Sequence, residues 1–582
     1  MYYDKIKSII TAYLRHTGEY FMEEKVKEVS TVIFKPIPET EKCFLDEDIA
    51  TKAPHRKASM LRGERFSFQL AYQDMKMRYD RRIGHIKVEG DIADWVTIQR
   101  AECVPLRLPI SRACEDMNFL RRTPGLYPDL LRPITEKNRI YVTNDLQSVW
   151  VDIRVPEDAP AGEHKLKFTL YNGESTEEEI FGSCEFTAVV IPATLPKQKL
   201  IVTQWFYCDC LASYYDVEMF SERHWEIIEN FIKTAVDNGI NMILTPVFTP
   251  ALDTQVGGER PTNQLVAITR SNGKWSFDFT LLHRWIEMCK RCGVEYYEIS
   301  HLFTQWGAEH APKVMATVDG EYKKVFGWET DAGAEEYTGF LTEMIPQLIE
   351  VLKAHGVDKN TVFHISDEPG GWMLESYKKA KSTVEDVLDG QMIIDALSDY
   401  SFYEQGILKN PVVSTDHVDK YIENNVQDLW VYYCCCQVNK VSNRMIAMPT
   451  ARNRIISTQF YKYKIAGFLH WGYNFYFTQH SCEPCNPYSC SDGGFWVPGG
   501  DTFSVYPAPD GTAYESIHLL GFTAALNDLR AMELAESLCG REAVMALIED
   551  DIDPITFSEY PHEQEYILDM RERLNKLIAD NI

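Results

Sequence analysis

The sequence HISDEPGG, residues 364–371, decides how the second half of the chain is interpreted. Val362 and Phe363 lead a β-prone run into two adjacent acids, Asp367 and Glu368, and the Pro-Gly-Gly that follows them ends any strand. A helical pattern begins directly afterwards, at Met373. The stretch therefore predicts one βα unit with two carboxylates at the carboxyl end of its strand. Barrels built from such units carry their chemistry at that end.

Two adjacent carboxylates at a strand end have a structural interpretation and a functional one. In the first, Asp367 caps the next helix and Glu368 is a solvated loop acid. In the second, the chain curls at the strand tip, so that both side chains reach one pocket. Their repulsion then raises one pKa until that carboxyl stays protonated near neutral pH, as a general acid must. The patterns in the rest of the chain distinguish the structural interpretation from the functional one.

Apolar segments alternate with helical patterns between residues 196 and 515, as expected of repeated βα units. The eight strand candidates are 200–206, 240–246, 294–301, 362–366, 392–397, 412–415, 429–434 and 466–471. Eight is the number of strands that closes a (β/α)8 TIM barrel. We therefore predict such a barrel, with Asp367 and Glu368 at the end of its fourth strand.

A different pattern precedes the predicted barrel. Val149, Val151 and Ile153 alternate with Trp150 and Asp152, and this period of two is typical of half-buried strands in an antiparallel β-sandwich. We predict a multidomain protein with four parts. They are an N-terminal helical segment (1–30), a β-sandwich domain (31–195), a catalytic barrel (196–515) and a C-terminal helical segment that packs on the barrel (516–582).

Composition excludes several classes of partner. The chain has 582 residues, a net charge of −27 and a pI near 5.0, so it lacks the basic surface that nucleic acids or anionic membranes require. No run approaches the eighteen apolar residues of a membrane span. The first thirty residues show no secretory pattern, from which we expect a cytoplasmic protein. Oligomeric state is not legible in the sequence.

Fifteen cysteines, many inside apolar runs, are typical of buried thiols in a reducing compartment. One cluster differs: in HSCEPCNPYSC, residues 480–490, Cys482, Cys485 and Cys490 lie near His480 at spacings that zinc can use. A repeated CxxC pattern is absent, which argues against zinc. We expect neither a metal nor a cofactor, and a loop that borders the site.

The ends of the other predicted strands carry aromatic and polar side chains. Taken singly, each is more typical of packing than of ligand contact. Gathered at one end of a barrel they indicate a sugar site, because flat rings stack on pyranose faces and polar groups bind hydroxyls. The candidate substrate-binding residues are His301, Trp306, Asp399, Tyr432, Tyr433, Trp471, Tyr473 and Asn474.

Glycoside hydrolysis normally uses two carboxylates that face each other across the scissile bond. The usual retaining barrel takes them from strands four and seven, yet residues 429–442 contain neither Asp nor Glu. Substrate assistance needs only an adjacent pair, because a 2-acetamido oxygen attacks the anomeric carbon. Glu368 would then be the acid and base, and Asp367 would orient the acetamido group.

Five segments of the chain resemble glycoside hydrolase family 123, the N-acetyl-β-galactosaminidases with a β-sandwich ahead of a TIM barrel. They are YPDLL (127–131), HLFTQWGA (301–308), HISDEPG (364–370), LWVYYCC (429–435) and GFLHWGYN (467–474). The resemblance implies hydrolysis of terminal β-linked N-acetylgalactosamine from an oligosaccharide or glycoconjugate, with retention through an oxazolinium intermediate. It also implies that Asp367 is the orienting residue and Glu368 the acid/base.

Other functions stay open. An ordinary two-carboxylate glycosidase would pair Glu368 with Asp416, Asp399 or Asp395 and would hydrolyse sugars that lack an acetamido group. A non-catalytic carbohydrate-binding protein on a degenerate barrel would bind sugars without turnover. A metal-dependent hydrolase that uses the cluster around His480 is the most distant of these alternatives.

Overall fold

The computed structural model describes residues 30–76, 82–134, 139–173 and 179–582. The predicted N-terminal helical segment lies outside these ranges, apart from Ser30. Two β-sheets come first along the described chain, followed by a closed barrel and then by helices. Within the described ranges, no helix is both long enough and apolar enough to cross a membrane.

The described residues of the N-terminal region form two five-stranded sheets, with the orders β1-β3-β8-β5-β6 and β2-β10-β9-β4-β7. The strands are β1 (Val32–Pro38), β2 (Lys57–Arg62), β3 (Arg65–Asp74), β4 (Arg82–Glu89), β5 (Val96–Leu106), β6 (Gly125–Pro133), β7 (Arg139–Val142), β8 (Gln147–Arg154), β9 (Gly162–Asn172) and β10 (Ile180–Thr194). One hydrophobic cluster joins the sheets, and Phe68 stacks on Phe186 with 4.1 Å between ring centroids. The predicted antiparallel sheets are confirmed, except that β2 runs parallel to β10.

The second part of the chain alternates strands and helices. In order they are β11 (Ile201–Gln204), α1 (Cys208–Tyr215), α2 (Glu222–Asp237), β12 (Met242–Thr245), β13 (Ala267–Ser271), β14 (Lys274–Asp278), α3 (Thr280–Cys292), β15 (Tyr296–Ile299), β16 (Val314–Val318), β17 (Glu321–Phe326), α4 (Glu335–Ala354), β18 (Thr361–Phe363), α5 (Leu374–Val384), β19 (Met392–Ala396), α6 (Ser401–Glu404), β20 (Asn410–Ser414), α7 (Asp419–Glu423), β21 (Trp430–Tyr432), α8 (Thr450–Arg454), α9 (Ile456–Tyr463), β22 (Gly467–His470), β23 (Tyr506–Pro507), β24 (Ala513–Tyr514), α10 (Ile517–Cys539), α11 (Arg541–Ile548) and α12 (Gln564–Asp580).

Eight parallel strands close the barrel in the order β11-β12-β15-β18-β19-β20-β21-β22, and β11 pairs with β22 to complete it. Each barrel strand overlaps one of the eight predicted segments. Strand β18 is shorter than predicted because the backbone N–H of Ile365 donates to the Asp395 carboxylate, at 3.0 Å, instead of to a neighbouring strand. All strands point the same way, so their carboxyl ends share one rim of the barrel.

Two hairpins inserted after β12 and β15 form a four-stranded sheet of order β14-β13-β16-β17, which the sequence analysis does not predict. Their turns are Asn272-Gly273 and Asp319-Gly320, all four with positive φ, as two-residue hairpin turns require. The sheet packs on α4, where Trp275 contacts Phe340 with 5.2 Å between centroids. The loops on either side of this sheet carry residues of the site described below.

The sandwich and the barrel share a buried interface. Strand β8 is buried on both faces, instead of half-buried as its alternation predicts, because Trp150 packs against Ile517 and Leu520 of α10. Charged contacts cross the same interface: Arg65 on β3 binds both Asp152 and Glu515 at 2.7 Å. Burying charges is tolerated only when they are paired, so these contacts fix the orientation of the two parts.

Gly467 tests how tightly the last two barrel strands are packed. A Cβ atom at this position would lie 2.1 Å from the Trp430 ring, so we expect Gly467→Ala to destabilise the protein by about 1–3 kcal/mol. Gly339, in α4, is the matched control, because a Cβ atom there meets nothing within 4 Å and Ala favours the helix by about 1 kcal/mol. Urea unfolding measures both changes, and equal stability of the two variants would contradict this packing.

Candidate active site

Three residues separate the end of β18 from Asp367 and Glu368, which lie at the carboxyl rim of the barrel. The backbone N–H of Trp306 donates to the Asp367 carbonyl at 2.9 Å, and the N–H of Glu368 donates to the Ala396 carbonyl at 2.9 Å. Glu368 has a φ of 45°, in the left-handed region, which costs a non-glycine residue about 1 kcal/mol or more. This bend at the strand tip brings both side chains to one cleft, as the functional interpretation expects.

Beneath the acids, the buried side chain of His364 lies between two carboxylates. Its Nε2 is 2.6 Å from Glu298 Oε1 and its Nδ1 is 3.1 Å from Asp395 Oδ1. Burial alone would lower the pKa of His364, but these two hydrogen bonds outweigh it and raise that pKa to about 9. His364 is therefore an imidazolium at neutral pH.

The two carboxylates extend this network across the barrel. Glu298 accepts hydrogen bonds from the Thr203 hydroxyl at 2.6 Å and from the Trp205 indole at 2.7 Å, and Asp395 accepts one from Tyr377 at 2.5 Å. Strands β11, β15 and β19 are thereby tied to the segment that carries the acids. Because every member is buried and hydrogen-bonded, the network is rigid.

The acidic pair has perturbed protonation. Burial raises the pKa of Asp367 well above its ordinary value, the nearby charge of Glu368 raises it further, and the imidazolium of His364 lowers it. Burial also raises the pKa of Glu368, while a 2.8 Å hydrogen bond from the Tyr432 hydroxyl lowers it. The titrations of these two carboxyls are linked, because an ionised Glu368 disfavours the ionisation of Asp367.

A cleft that is partly open to solvent lies above the acids. Its walls are mostly aromatic and apolar, with a few carboxylates and thiols. The lining residues are Trp205, Tyr207, Leu252, Asp253, Gln305, Trp306, Asp367, Glu368, Ala396, Tyr432, Cys434, Cys435, Cys436, Leu469, Trp471 and Trp496. Three of the predicted substrate-binding residues are among them: Trp306, Tyr432 and Trp471.

The structure places the other predicted substrate-binding residues outside the cleft lining. His301 is buried and stacks on His364 at 4.2 Å, and Asp399 accepts a hydrogen bond from the backbone of Ser401 at the start of α6. The other three form hydrogen bonds away from the cleft. The Tyr433 hydroxyl donates to the Asn453 side chain at 3.3 Å, and the Tyr473 hydroxyl donates to the Phe231 carbonyl at 2.8 Å. The side-chain amide of Asn474 accepts from the backbone N–H of Tyr207 and donates to the backbone carbonyl of Tyr207. Successive residues at a strand end point to opposite sides, so Tyr432 faces the cleft and Tyr433 does not.

Asp253 is the carboxylate in the cleft that the sequence analysis misses. It lies in the loop after β12, where its Oδ2 accepts the backbone N–H of His480 at 2.9 Å. Burial raises the pKa of Asp253 to about 6, against the opposing charge of His480. Long loops carry no periodic signal, so neither Asp253 nor Trp496 is predictable from spacing.

The three acids proposed as a second carboxylate do not line the cleft. Asp395 is held by His364 and Tyr377, and Asp399 by the backbone of α6. Asp416 contacts His417 at 2.8 Å and accepts from the Gln437 amide at 3.1 Å. Among the described residues, the carboxylates that line the cleft are Asp253, Asp367 and Glu368.

Two groups of potential metal ligands converge in the described part of the chain. One consists of His301, His364 and Asp395, where His364 already bridges two carboxylates. The other consists of three consecutive thiols, Cys434, Cys435 and Cys436. The cluster suggested by the sequence, His480 with Cys482, Cys485 and Cys490, is not among these groups.

An acid pair at the strand ends of a parallel barrel, facing indole and phenol rings in one cleft, is an arrangement typical of hydrolases that act on carbohydrates. The family model for the catalytic domain of glycoside hydrolase 123 matches residues 205–535, more than half of the chain. The chain therefore belongs to glycoside hydrolase family 123, and the predicted family is confirmed. No curated protein matches the chain.

Among solved structures, the chain is similar to a family 123 glycoside hydrolase from Clostridium perfringens whose description concerns glycolipid glycan hydrolysis. The TM-score is 0.70 at 14% identity, over 94% of this chain and 98% of that one, so the two share a fold. A putative β-galactosidase from Bacteroides fragilis matches at a TM-score of 0.30 and 8% identity, over 79% of this chain and 58% of that one. That second likeness supports no conclusion.

The charged state of His364 predicts a pH-dependent stability. A pKa raised from 6.5 to about 9 on folding stabilises the protein fully below pH 6.5, and this contribution is lost as the pH rises through 9. It amounts to about 3 kcal/mol. We expect the free energy of unfolding to fall between pH 6.5 and 9, and His364→Gln to flatten that slope while lowering stability overall.

Urea titrations at several pH values measure this slope. His224→Gln is the matched control, because His224 is also buried but burial lowers its pKa below 6.5, so its removal leaves the slope between pH 6.5 and 9 unchanged. Parallel slopes for the wild type and His364→Gln would contradict a buried imidazolium.

Proposed function

We propose that this protein releases terminal β-linked N-acetylgalactosamine by substrate-assisted, retaining hydrolysis. The observation that carries the proposal is the adjacent pair Asp367 and Glu368 in one aromatic cleft, without a carboxylate from the strand-seven loop. An ordinary retaining enzyme needs a nucleophile across the sugar from its acid. Substrate assistance replaces that nucleophile with the acetamido oxygen, so a pair on one side of the sugar suffices.

In this mechanism Glu368 protonates the leaving oxygen and later deprotonates the attacking water. The Tyr432 hydroxyl, 2.8 Å from Glu368 Oε1, fixes the position of that carboxyl. Asp367 accepts the acetamido N–H and stabilises the positive charge of the oxazolinium ion. Retention follows from two inversions at the anomeric carbon, one by the acetamido oxygen and one by water.

Substrate binding would also determine which of the two carboxyls, Asp367 or Glu368, is protonated. In the free cleft the pKa of Asp367 is raised well above its usual range, chiefly by burial. A hydrogen bond from the acetamido N–H favours the ionised form of Asp367, and the negative charge of Asp367 then favours protonated Glu368. Substrate binding would thus favour ionised Asp367 together with protonated Glu368, which is the state that the mechanism needs.

The fold and the family support the sugar class. We interpret the closed barrel as a (β/α)8 barrel, because at least one helix lies between each pair of consecutive barrel strands. Trp306 and Trp471 supply flat rings for the pyranose, and Asp253 supplies a hydrogen-bonding group for its hydroxyls. A glycolipid or another glycoconjugate, of the kind hydrolysed by the Clostridium perfringens relative, is the proposed source of the sugar.

A second candidate function is favoured by Asp253, which lines the cleft together with Glu368. A two-carboxylate glycosidase would use Glu368 as acid and Asp253 as nucleophile or base. Such an enzyme has no need of an acetamido group. The two mechanisms therefore differ in their substrates and in the residue that each requires besides Glu368, which is Asp367 for substrate assistance and Asp253 for the two-carboxylate mechanism.

Hydrolysis of three aryl β-glycosides tests the proposal, with N-acetylgalactosamine, N-acetylglucosamine or plain galactose as the sugar. We expect release only from acetamido sugars, and a loss of kcat/KM of about 10²–10⁴-fold in both Asp367→Asn and Glu368→Gln. The galacto sugar should be preferred to the gluco sugar. Initial rates of aryl alcohol release give these values.

Asp253→Asn separates the two candidates. Under substrate assistance this variant should chiefly raise KM, because Asp253 binds a hydroxyl, and it should keep the requirement for an acetamido group. Hydrolysis of the plain galactoside by the wild type, abolished in Asp253→Asn and kept in Asp367→Asn, would contradict substrate assistance and establish the two-carboxylate mechanism.

A further inference from the structure

A tight turn carries three consecutive thiols into the wall of the cleft. The backbone N–H of Gln437 donates to the Cys434 carbonyl at 3.2 Å, which closes a turn with Cys435 and Cys436 at its centre. The buried amide of Asn443 donates to the carbonyls of both Cys434 and Gln437, at 2.9 and 2.8 Å. Both ends of the turn are therefore fixed in place.

Residues of the sandwich form hydrogen bonds with the same loop. The backbone N–H groups of Glu115 and Asp116 both donate to the side-chain oxygen of Asn439, at 2.9 and 3.2 Å. Buried Arg452 donates to Asp116 at 2.8 Å and to the Val438 carbonyl at 3.2 Å. This support preorganises the turn, so that a ligand would not have to order it.

The three sulfur atoms lie within 4.8 Å of one another, and those of Cys435 and Cys436 are 3.9 Å apart. Sulfur ligands about 2.3 Å from a tetrahedral zinc-sized ion are about 3.8 Å apart, so the distance between Cys435 and Cys436 fits one cation, and the third sulfur lies within about 1 Å of that spacing. A disulfide is less suitable: bonded sulfurs are about 2.05 Å apart, and adjacent Cα atoms, about 3.8 Å apart, are closer than disulfides prefer.

We propose that Cys434, Cys435 and Cys436 form a binding site for a thiophilic divalent cation, such as Zn²⁺, in the wall of the cleft. Three thiolates from one turn leave a fourth coordination position open. All three residues line the cleft together with Glu368, so a bound cation occupies space that the substrate needs. Binding of the cation and binding of the substrate therefore compete.

Titration of the reduced, chelator-treated protein with Cd²⁺ tests the site, because cadmium thiolates have a charge-transfer band in the ultraviolet. We expect one Cd²⁺ per chain to bind with a charge-transfer band and with release of protons. In Cys435→Ser/Cys436→Ser the affinity should fall at least about tenfold, with loss of the band. Circular dichroism and the Tm check that this variant is folded.

Cys485→Ser/Cys490→Ser is the matched control, since these two thiols also lie close together, on the loop after the last barrel strand. This variant should keep the cadmium band assigned to the cleft. An unchanged affinity and band in Cys435→Ser/Cys436→Ser, with their loss in the control variant, would overturn the proposed site.

The competition with substrate rests on the proposed function and has its own measurement. We expect saturating Zn²⁺ to lower kcat/KM for the aryl N-acetylgalactosaminide at least about tenfold in the wild type, and much less in Cys435→Ser/Cys436→Ser. Cadmium binding is measured without turnover, so this test of the cation site does not depend on the glycosidase mechanism. Tight cation binding without any change in hydrolysis would overturn the competition.

Discussion

The rest of the site depends on one buried interaction, the imidazolium of His364 held between Glu298 and Asp395. It joins neighbouring barrel strands directly beneath Asp367 and Glu368 and places a positive charge near Asp367. Removing one member of such a buried charge network leaves its partners uncompensated, which typically costs about 3–5 kcal/mol. The network therefore fixes the position of the acids and also limits how far burial raises the pKa of Asp367.

The walls of the cleft above this network come from loops that follow three different barrel strands. The loop after β12 brings Asp253, the loop after β22 brings Trp496, and the turn after β21 brings three thiols. None of the described sandwich residues lines the cleft, yet the sandwich supports the thiol turn through Asp116, which accepts a hydrogen bond from Arg452 of α8. Its Asp129, within the YPDLL segment, also binds Tyr506 and His518 of the C-terminal part, at 2.6 and 2.7 Å. The sandwich is thus a support for the site and not only a neighbour of the barrel.

Much of this architecture is predictable from local sequence patterns. The eight barrel strands are short apolar runs bounded by helices and glycines, and each predicted run overlaps a strand of the barrel. The inserted sheet escapes prediction although Asn272-Gly273 and Asp319-Gly320 are strong hairpin signals. The cleft is less predictable, because it depends on side-chain direction: Tyr432 and Trp471 point inward, while Tyr433 and Tyr473 bond the barrel wall. Asp253 comes from a long loop, which has no period to reveal it.

Participation of the acetamido group is the central claim, and an N-acyl series of the aryl galactosaminide tests it most directly. Replacing the acetyl group by mono-, di- and trifluoroacetyl makes the carbonyl oxygen a progressively weaker nucleophile and changes little else in the substrate. The account predicts that kcat/KM of the wild type falls steeply along this series, with retention at the anomeric carbon seen by NMR. A flat series, or an inverted product, would contradict substrate assistance by Asp367 and Glu368.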